Sequence, residues 1–176
     1  MWIHGGGWQV GSPKHDWPFL VEAGSRARIL GAGFALAMVS YRFSSEAPFP
    51  AQLDDVKAAL RWLHRQADEL GVDRQAFAVW GESAGGHLAA LAALTSVAGS
   101  GWEGAGRDDE RVAGAVVWYA PSHFPALAGD LDPATAGLLG GPGAVVDEVA
   151  RVASPVTWVS PQAPPMLVAA LVHGPA

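Results

Sequence analysis

Two kinds of stretch alternate along this chain. Short, nearly continuous apolar runs are followed by longer segments in which apolar residues recur every three or four positions. Runs of the first kind read as strands of a parallel sheet, buried on both faces. Residues 1–4 look like the end of one, and 34–41, 77–80, 112–119 and 166–172 supply four more. In the second kind, Leu53, Val56, Leu60, Leu63, Ala67 and Leu70 mark one face of a helix over 51–70, with Gly71 at its stop. Residues 17–30 fit a helix ended near Gly31 and Gly33, and 84–95, almost wholly small or aliphatic, fit a helix packed against a sheet. Segments 5–12, 42–50 and 98–111 read as loops, and 122–165, rich in Pro and Gly, as irregular. Strands alternating with helices predict an α/β fold, a parallel sheet in a three-layer sandwich. The strand at Phe77 should lie inside the sheet. Ligands of such sheets bind at the carboxyl ends of the strands, the edge that carries His4, Ser83 and the loop after Tyr119.

Composition narrows the function classes. The chain has 176 residues, enough for one domain with a sizeable core. Half are hydrophobic and 16% charged, which excludes a disordered chain. A net charge of −6, with eleven basic residues that form no run, speaks against a nucleic-acid partner. With no cysteine, thiolate nucleophiles, disulfides and Cys-based metal sites are excluded. No apolar stretch approaches a membrane span, and no charged segment followed by an apolar core opens the chain, so a cytoplasmic protein is expected. Oligomeric state is left open.

The chemistry gathers at Val79-Trp80-Gly81-Glu82-Ser83-Ala84-Gly85-Gly86-His87. An apolar strand runs into a Gly-x-Ser-x-Gly turn and then a helix, the arrangement that puts a serine hydroxyl on an exposed, strained elbow. A chain this rich in Gly and Ser would hold such a pattern about 0.17 times by chance, so a second motif has to decide. His4-Gly5-Gly6-Gly7-Trp8 supplies it, upstream and after an apolar start; both together are expected roughly 0.002 times. Ester cleavage needs a nucleophile, here Ser83, and backbone N–H donors for the oxyanion. The amides of Gly6, Gly7 and Ala84 are the candidates for that oxyanion hole. The positive end of the 84–95 helix would add to it. His4 is expected to shape the loop by hydrogen bonding. No cofactor and no metal are called for, and the partner is a small-molecule ester.

These motifs, with Ser40-Tyr41-Arg42, Phe49-Pro50-Ala51-Gln52-Leu53-Asp54-Asp55, Leu138-Leu139-Gly140-Gly141 and Ser154-Pro155, resemble the α/β-hydrolase esterases and lipases with a His-Gly-Gly-Gly-Trp oxyanion loop. Within them the chain is similar to the acetyl-esterase and feruloyl-esterase-like group. The resemblance runs through nearly the whole chain and implies a partial α/β-hydrolase domain over 1–176, lacking the family's first strands and its final strand and helix; the family's spatial order, reduced to the strands present, puts the second strand outermost, then the first, third, fourth and fifth. It also implies a triad in the order Ser, Asp, His. After Val172-His173-Gly174-Pro175-Ala176 the sequence carries neither the family's Asp nor its later His. His123, behind the fourth strand, is the surviving candidate for a surrogate base, set against its plain reading as a surface loop residue. His87 reads as structural and His173 as a strand-end packing residue. His15 and His64 read as solvated, and Asp130, Asp132, Asp147 and Glu148 as surface charges. Asp54 and Asp55 read as first-turn carboxylates and Glu82 as the elbow's own residue without proton transfer. Three readings stay open: a carboxylic-ester hydrolase, a non-catalytic hydrolase-like fragment, and an arylformamidase-like amide hydrolase.

Overall fold

The computed structural model describes residues 1–14, 24–102, 105–124, 131–141 and 146–170. Five strands, β1 (Trp2–Ile3), β2 (Met38–Val39), β3 (Ala78–Glu82), β4 (Gly114–Trp118) and β5 (Met166–Ala169), form one sheet in the order β2-β1-β3-β4-β5. Every neighbouring pair is parallel. This is the expected order, with β3 at the centre. Helices α1 (Ser25–Gly31), α2 (Ala51–Leu70), α3 (Ser83–Thr95), α4 (Pro133–Leu138) and α5 (Val146–Ala153) connect or flank the strands.

One sheet face carries Ile3, Val79, Ala115 and Val117, all buried in a cluster with Leu53, Val56 and Leu60 of α2. Each Ile, Val or Leu among them contributes roughly 1.5–3 kcal/mol by leaving water. Helix α3 is buried at every position from Ala84 to Thr95, because it is enclosed by β3, β4, α2 and the turn at Pro155–Trp158. That surround explains a sequence without an amphipathic stripe. On the other face Trp2, Trp80 and Trp118 meet edge to face, at centroid distances of 4.6 and 4.9 Å.

Helix α2 has the expected bounds. Asp54 sits in its first turn as read, whereas Asp55 accepts two side-chain bonds from Arg42, Nε to Oδ2 at 2.8 Å and Nη2 to Oδ1 at 2.9 Å, and a third from the Arg42 amide. That fork pins the loop after β2 to the helix.

Several expectations need correction. The run 34–41 gives the sheet only Met38–Val39, and Phe34 is 63% exposed. This strand lies at the edge, and its ladder is limited to the two residues of its neighbour β1. The run 166–172 gives Met166–Ala169, also an edge, with Leu167 and Val168 exposed; 171–172 lie outside the described residues. Loop 98–111 contains a 3-10 turn, Asp108–Glu110, and Glu110 is buried against Lys57 at 3.2 Å and Arg61 at 2.5 Å. The "irregular" segment holds α4, α5 and the Pro155–Trp158 turn. Helix α4 carries a readable signal: Asp132 caps the amides of Ala134 and Thr135, with proline at the first helical position. The expected helix over 17–30 is described only from Ser25; its earlier part lies outside the described residues.

Candidate active site

Strand β3 ends on Glu82 and α3 begins on Ser83, with no residue between them. Ser83 takes φ 49°, in the left-handed region that costs an L-residue roughly 1–3 kcal/mol. Neighbouring glycines make the turn possible. A Cβ on Gly81 would stand 2.3 Å from the Gly85 carbonyl oxygen, and one on Gly85 would stand 2.1 Å from that of Ile3 and 2.5 Å from that of His4. Both glycines of the motif are therefore required by backbone atoms that cannot move aside. Ser83 itself is half-buried, at the carboxyl edge of the central strand.

The second motif lies against this elbow. A Cβ on Gly5 would be 3.2 Å from both the carbonyl oxygen and Oε1 of Glu82, so the loop starts beside the residue that precedes the serine. Gly6, Gly7 and Trp8 follow at φ 110°, 59° and 57°, three left-handed residues in a row. Gly7 abuts Ala134 of α4, 3.3 Å from where its Cβ would be. His4 is fully buried, stacks on Tyr41 at 4.5 Å, and its Nδ1 lies 2.8 Å from the Gly5 carbonyl. The Tyr41 hydroxyl donates to the His4 carbonyl at 3.0 Å. Burial raises the Tyr41 pKa, which keeps that donor protonated. His4 thus stands where a loop-shaping residue would.

Two pairs around the elbow escaped the sequence reading. The Trp8 indole N–H donates to His87 Nδ1 at 3.2 Å, and His87 Nε2 donates to the Ala153 carbonyl at 2.7 Å. Complete burial lowers the imidazole's pKa to about 4. The second pair joins Tyr119, at φ 37° just past β4, to Glu82: its hydroxyl donates to Oε2. Burial, then that bond and the charge of Glu82, push the tyrosine to about 12. No local signal links residues 79 or 37 positions apart.

The remaining candidates divide. Ala84 is buried as the second residue of α3. His123 is exposed, and its neighbour Phe124 turns inward onto His87 at 5.2 Å. His64 is not solvated but buried, with Nε2 2.9 Å from the Arg111 carbonyl and its ring edge-on to Phe77, because α2 carries it over the far end of the sheet. Asp132 is the cap of α4, and Glu148 is an exposed partner of Arg151. His15, Asp130, His173 and the Asp147 side chain lie outside the described residues. Among the described residues no histidine is hydrogen-bonded to Ser83, so the elbow and glycine loop are together while a base is not.

Known proteins carry the same framework. The BD-FAE family model matches residues 1–176. Carboxylesterase NlhH of Mycobacterium tuberculosis (strain H37Rv) is 44% identical over 94 residues, 53% of this chain and 28% of that protein. From the same organism, the probable carboxylic ester hydrolase LipM is 33% identical over 177 residues, 98% of this chain and 39% of LipM. A solved structure described as a truncated form of carbohydrate esterase from gut microbiota superposes with a TM-score of 0.73 at 28% identity, over 95% of this chain and 64% of that one. The chain spans well under half the length of these curated relatives.

Proposed function

The chain belongs to the BD-FAE family, and from that premise we propose that it carries the nucleophile half of a carboxylic-ester hydrolase. Ser83 Oγ attacks the ester carbonyl carbon, its proton passes to a base and on to the departing alcohol, and water then cleaves the acyl-serine. The amides of Gly6, Gly7 and Ala84 hold the oxyanion of each tetrahedral intermediate. The observation that carries this reading is Ser83 at φ 49°, between two glycines whose Cβ positions are filled by backbone. Such strain persists only where the surrounding packing enforces it. The carboxylesterase names of the relatives support an ester substrate. A small-molecule ester with a short acyl group or an aryl alcohol is the reading; a formamide is its closest rival.

The test supplies the proton acceptor from solution. The 176-residue chain is incubated with an aryl acetate and imidazole, and the acyl group is located by peptide mass spectrometry. Acetyl on Ser83, lost in Ser83→Ala, is expected. Acetyl on Lys14 or the N-terminal amine and none on Ser83 overturns the reading. Without imidazole, turnover should stay near the residual level of about 10³ to 10⁴ over water left by oxyanion and binding effects alone, and Ser83→Ala should change it little. A fast rate abolished by Ser83→Ala would mean that this chain supplies its own base, with His123→Ala the next variant. Comparing acetyl esters with formyl anilides separates ester from amide specificity.

A second reading, ligand binding without turnover, is favoured by one observation. The two buried imidazoles nearest the elbow, His4 and His87, are each held by backbone carbonyls rather than by the serine.

A further inference from the structure

We infer that His87 is a positioning residue for the glycine loop: its imidazole, held in one tautomer by the Ala153 carbonyl, fixes the Trp8 indole and with it the left-handed Gly6-Gly7-Trp8 backbone. The inference rests on the reading of that loop as the oxyanion hole.

Trp8 sets the problem. It is not glycine, yet it takes φ 57° directly after two left-handed glycines. Left-handed backbone costs a residue with a Cβ roughly 1–2 kcal/mol. Something must hold the tryptophan there, or the loop relaxes and its amides turn away from the elbow. The residue is 3% exposed, and its indole meets the His87 ring edge-on at 5.2 Å and Phe124 at 6.0 Å. Its single polar atom, Nε1–H, can only donate, and the acceptor it finds is His87 Nδ1.

The histidine is fixed in turn from its other side. A carbonyl oxygen can only accept, so the 2.7 Å contact with Ala153 requires the proton on Nε2. That leaves Nδ1 bare and ready for the indole. One imidazole thereby joins three segments: the glycine loop, the elbow helix α3 and the last residue of α5. The elbow and the loop that faces it are referenced to the same side chain. Both ring nitrogens of His87 are engaged, by Trp8 and by Ala153, and neither by Ser83, so its effect on chemistry passes through Trp8.

Two substitutions take the two bonds apart. Asparagine places Oδ1 where Nδ1 was and keeps an acceptor for the indole, but it cannot reach Ala153. Glutamine extends an amide N–H toward Ala153 and offers nothing at Nδ1. The experiment compares His87→Asn, His87→Gln and Trp8→Phe in the full 176-residue chain. The first readout is the NMR signals of the Gly6 and Gly7 amides and the Trp8 indole; the second is the imidazole-assisted acetylation of Ser83. His87→Asn should keep the wild-type loop signals and acetylation rate while losing thermal stability. His87→Gln and Trp8→Phe should both shift the Gly6 and Gly7 amides and slow acetylation, about a hundredfold if the donors move by some 1 Å. Equal effects of Asn and Gln, or unchanged Gly6 and Gly7 signals in His87→Gln and Trp8→Phe, overturn the inference. Should wild type itself never acetylate Ser83, the proposed function falls, and the NMR arm still decides the role of His87. Trp8→Phe keeps an aromatic ring at the same core position and keeps the test available if a His87 variant does not fold.

Discussion

At its carboxyl end, β3 meets backbone so close that Gly81 and Gly85 leave no room for a Cβ; at its amino end the same strand opens into a groove of about 670 Å³. Arg65, Arg74, Asp109 and Arg111 line that groove with His64. Its polar walls are long side chains at the surface, such as Arg111, whose side chain is 68% exposed. Such groups reorient with solvent and are not preorganised. The elbow offers left-handed residues at Gly6, Gly7, Trp8 and Ser83 and a buried imidazole with both nitrogens assigned. Size alone points to one end of the strand and enforced backbone strain to the other.

The contrast can be broken first at the glycines. Gly85→Ala should cost more than about 4 kcal/mol or prevent folding, since the new methyl meets the carbonyls of Ile3 and His4 and neither can yield. Gly71→Ala, at φ 66° beyond α2, has nothing within 4 Å of the added atom and should cost only about 1 kcal/mol of backbone strain. Urea denaturation of the two variants measures both. A Gly85→Ala protein within 1 kcal/mol of wild type would mean that the elbow is not sterically enforced.

Acid sharpens the contrast further. His87 titrates near 4 in the fold and near 6.5 when unfolded, so the unfolded chain binds the extra proton between those values. Stability from the neutral imidazole is therefore complete above pH 6.5 and falls as pH drops toward 4, by roughly 3 kcal/mol. Urea midpoints at pH 7, 5.5 and 4.5 should fall more steeply in wild type than in His87→Asn. Parallel curves would show that His87 does not carry the dependence.

The smallest effect is expected at the other end. Arg74 pairs with Asp68 at 2.6 Å, but the two side chains are 50% and 84% exposed. Such pairs contribute roughly 0–1 kcal/mol, so Arg74→Ala should leave the urea midpoint almost unchanged and 0.5 M salt should not alter that. A loss comparable to that of Gly85→Ala would mean that the groove is as tightly built as the elbow.

Much of this was legible in the chain itself. Helix α2 shows its bounds because its apolar stripe repeats every three or four residues and Gly71 closes it. The elbow shows itself because strand, Gly-x-Ser-x-Gly and buried helix are contiguous. Alternation gave the parallel α/β sheet, while the strand order came with the family resemblance, since alternation alone leaves more than one order open. Helix α5 was overlooked although its apolar residues, Val146, Val149, Ala150 and Ala153, keep helical spacing. The surrounding Pro and Gly masked that period.

What local sequence determined, then, are the elements whose signals lie within one turn or one strand, and the serine and glycines that a sharp turn needs. What only the tertiary structure decided are partners. The short ladders of β2 and β5 depend on which strands lie beside them. Burial of His64 depends on where α2 sets it against Phe77 and Arg111, and that of Glu110 on Lys57 and Arg61 of the same helix. The bonds from Trp8 to His87 and from Tyr119 to Glu82 join positions 79 and 37 residues apart. A hydrogen-bond donor in a sequence has many possible acceptors. Only packing, which removes water and leaves one acceptor within reach, chooses among them.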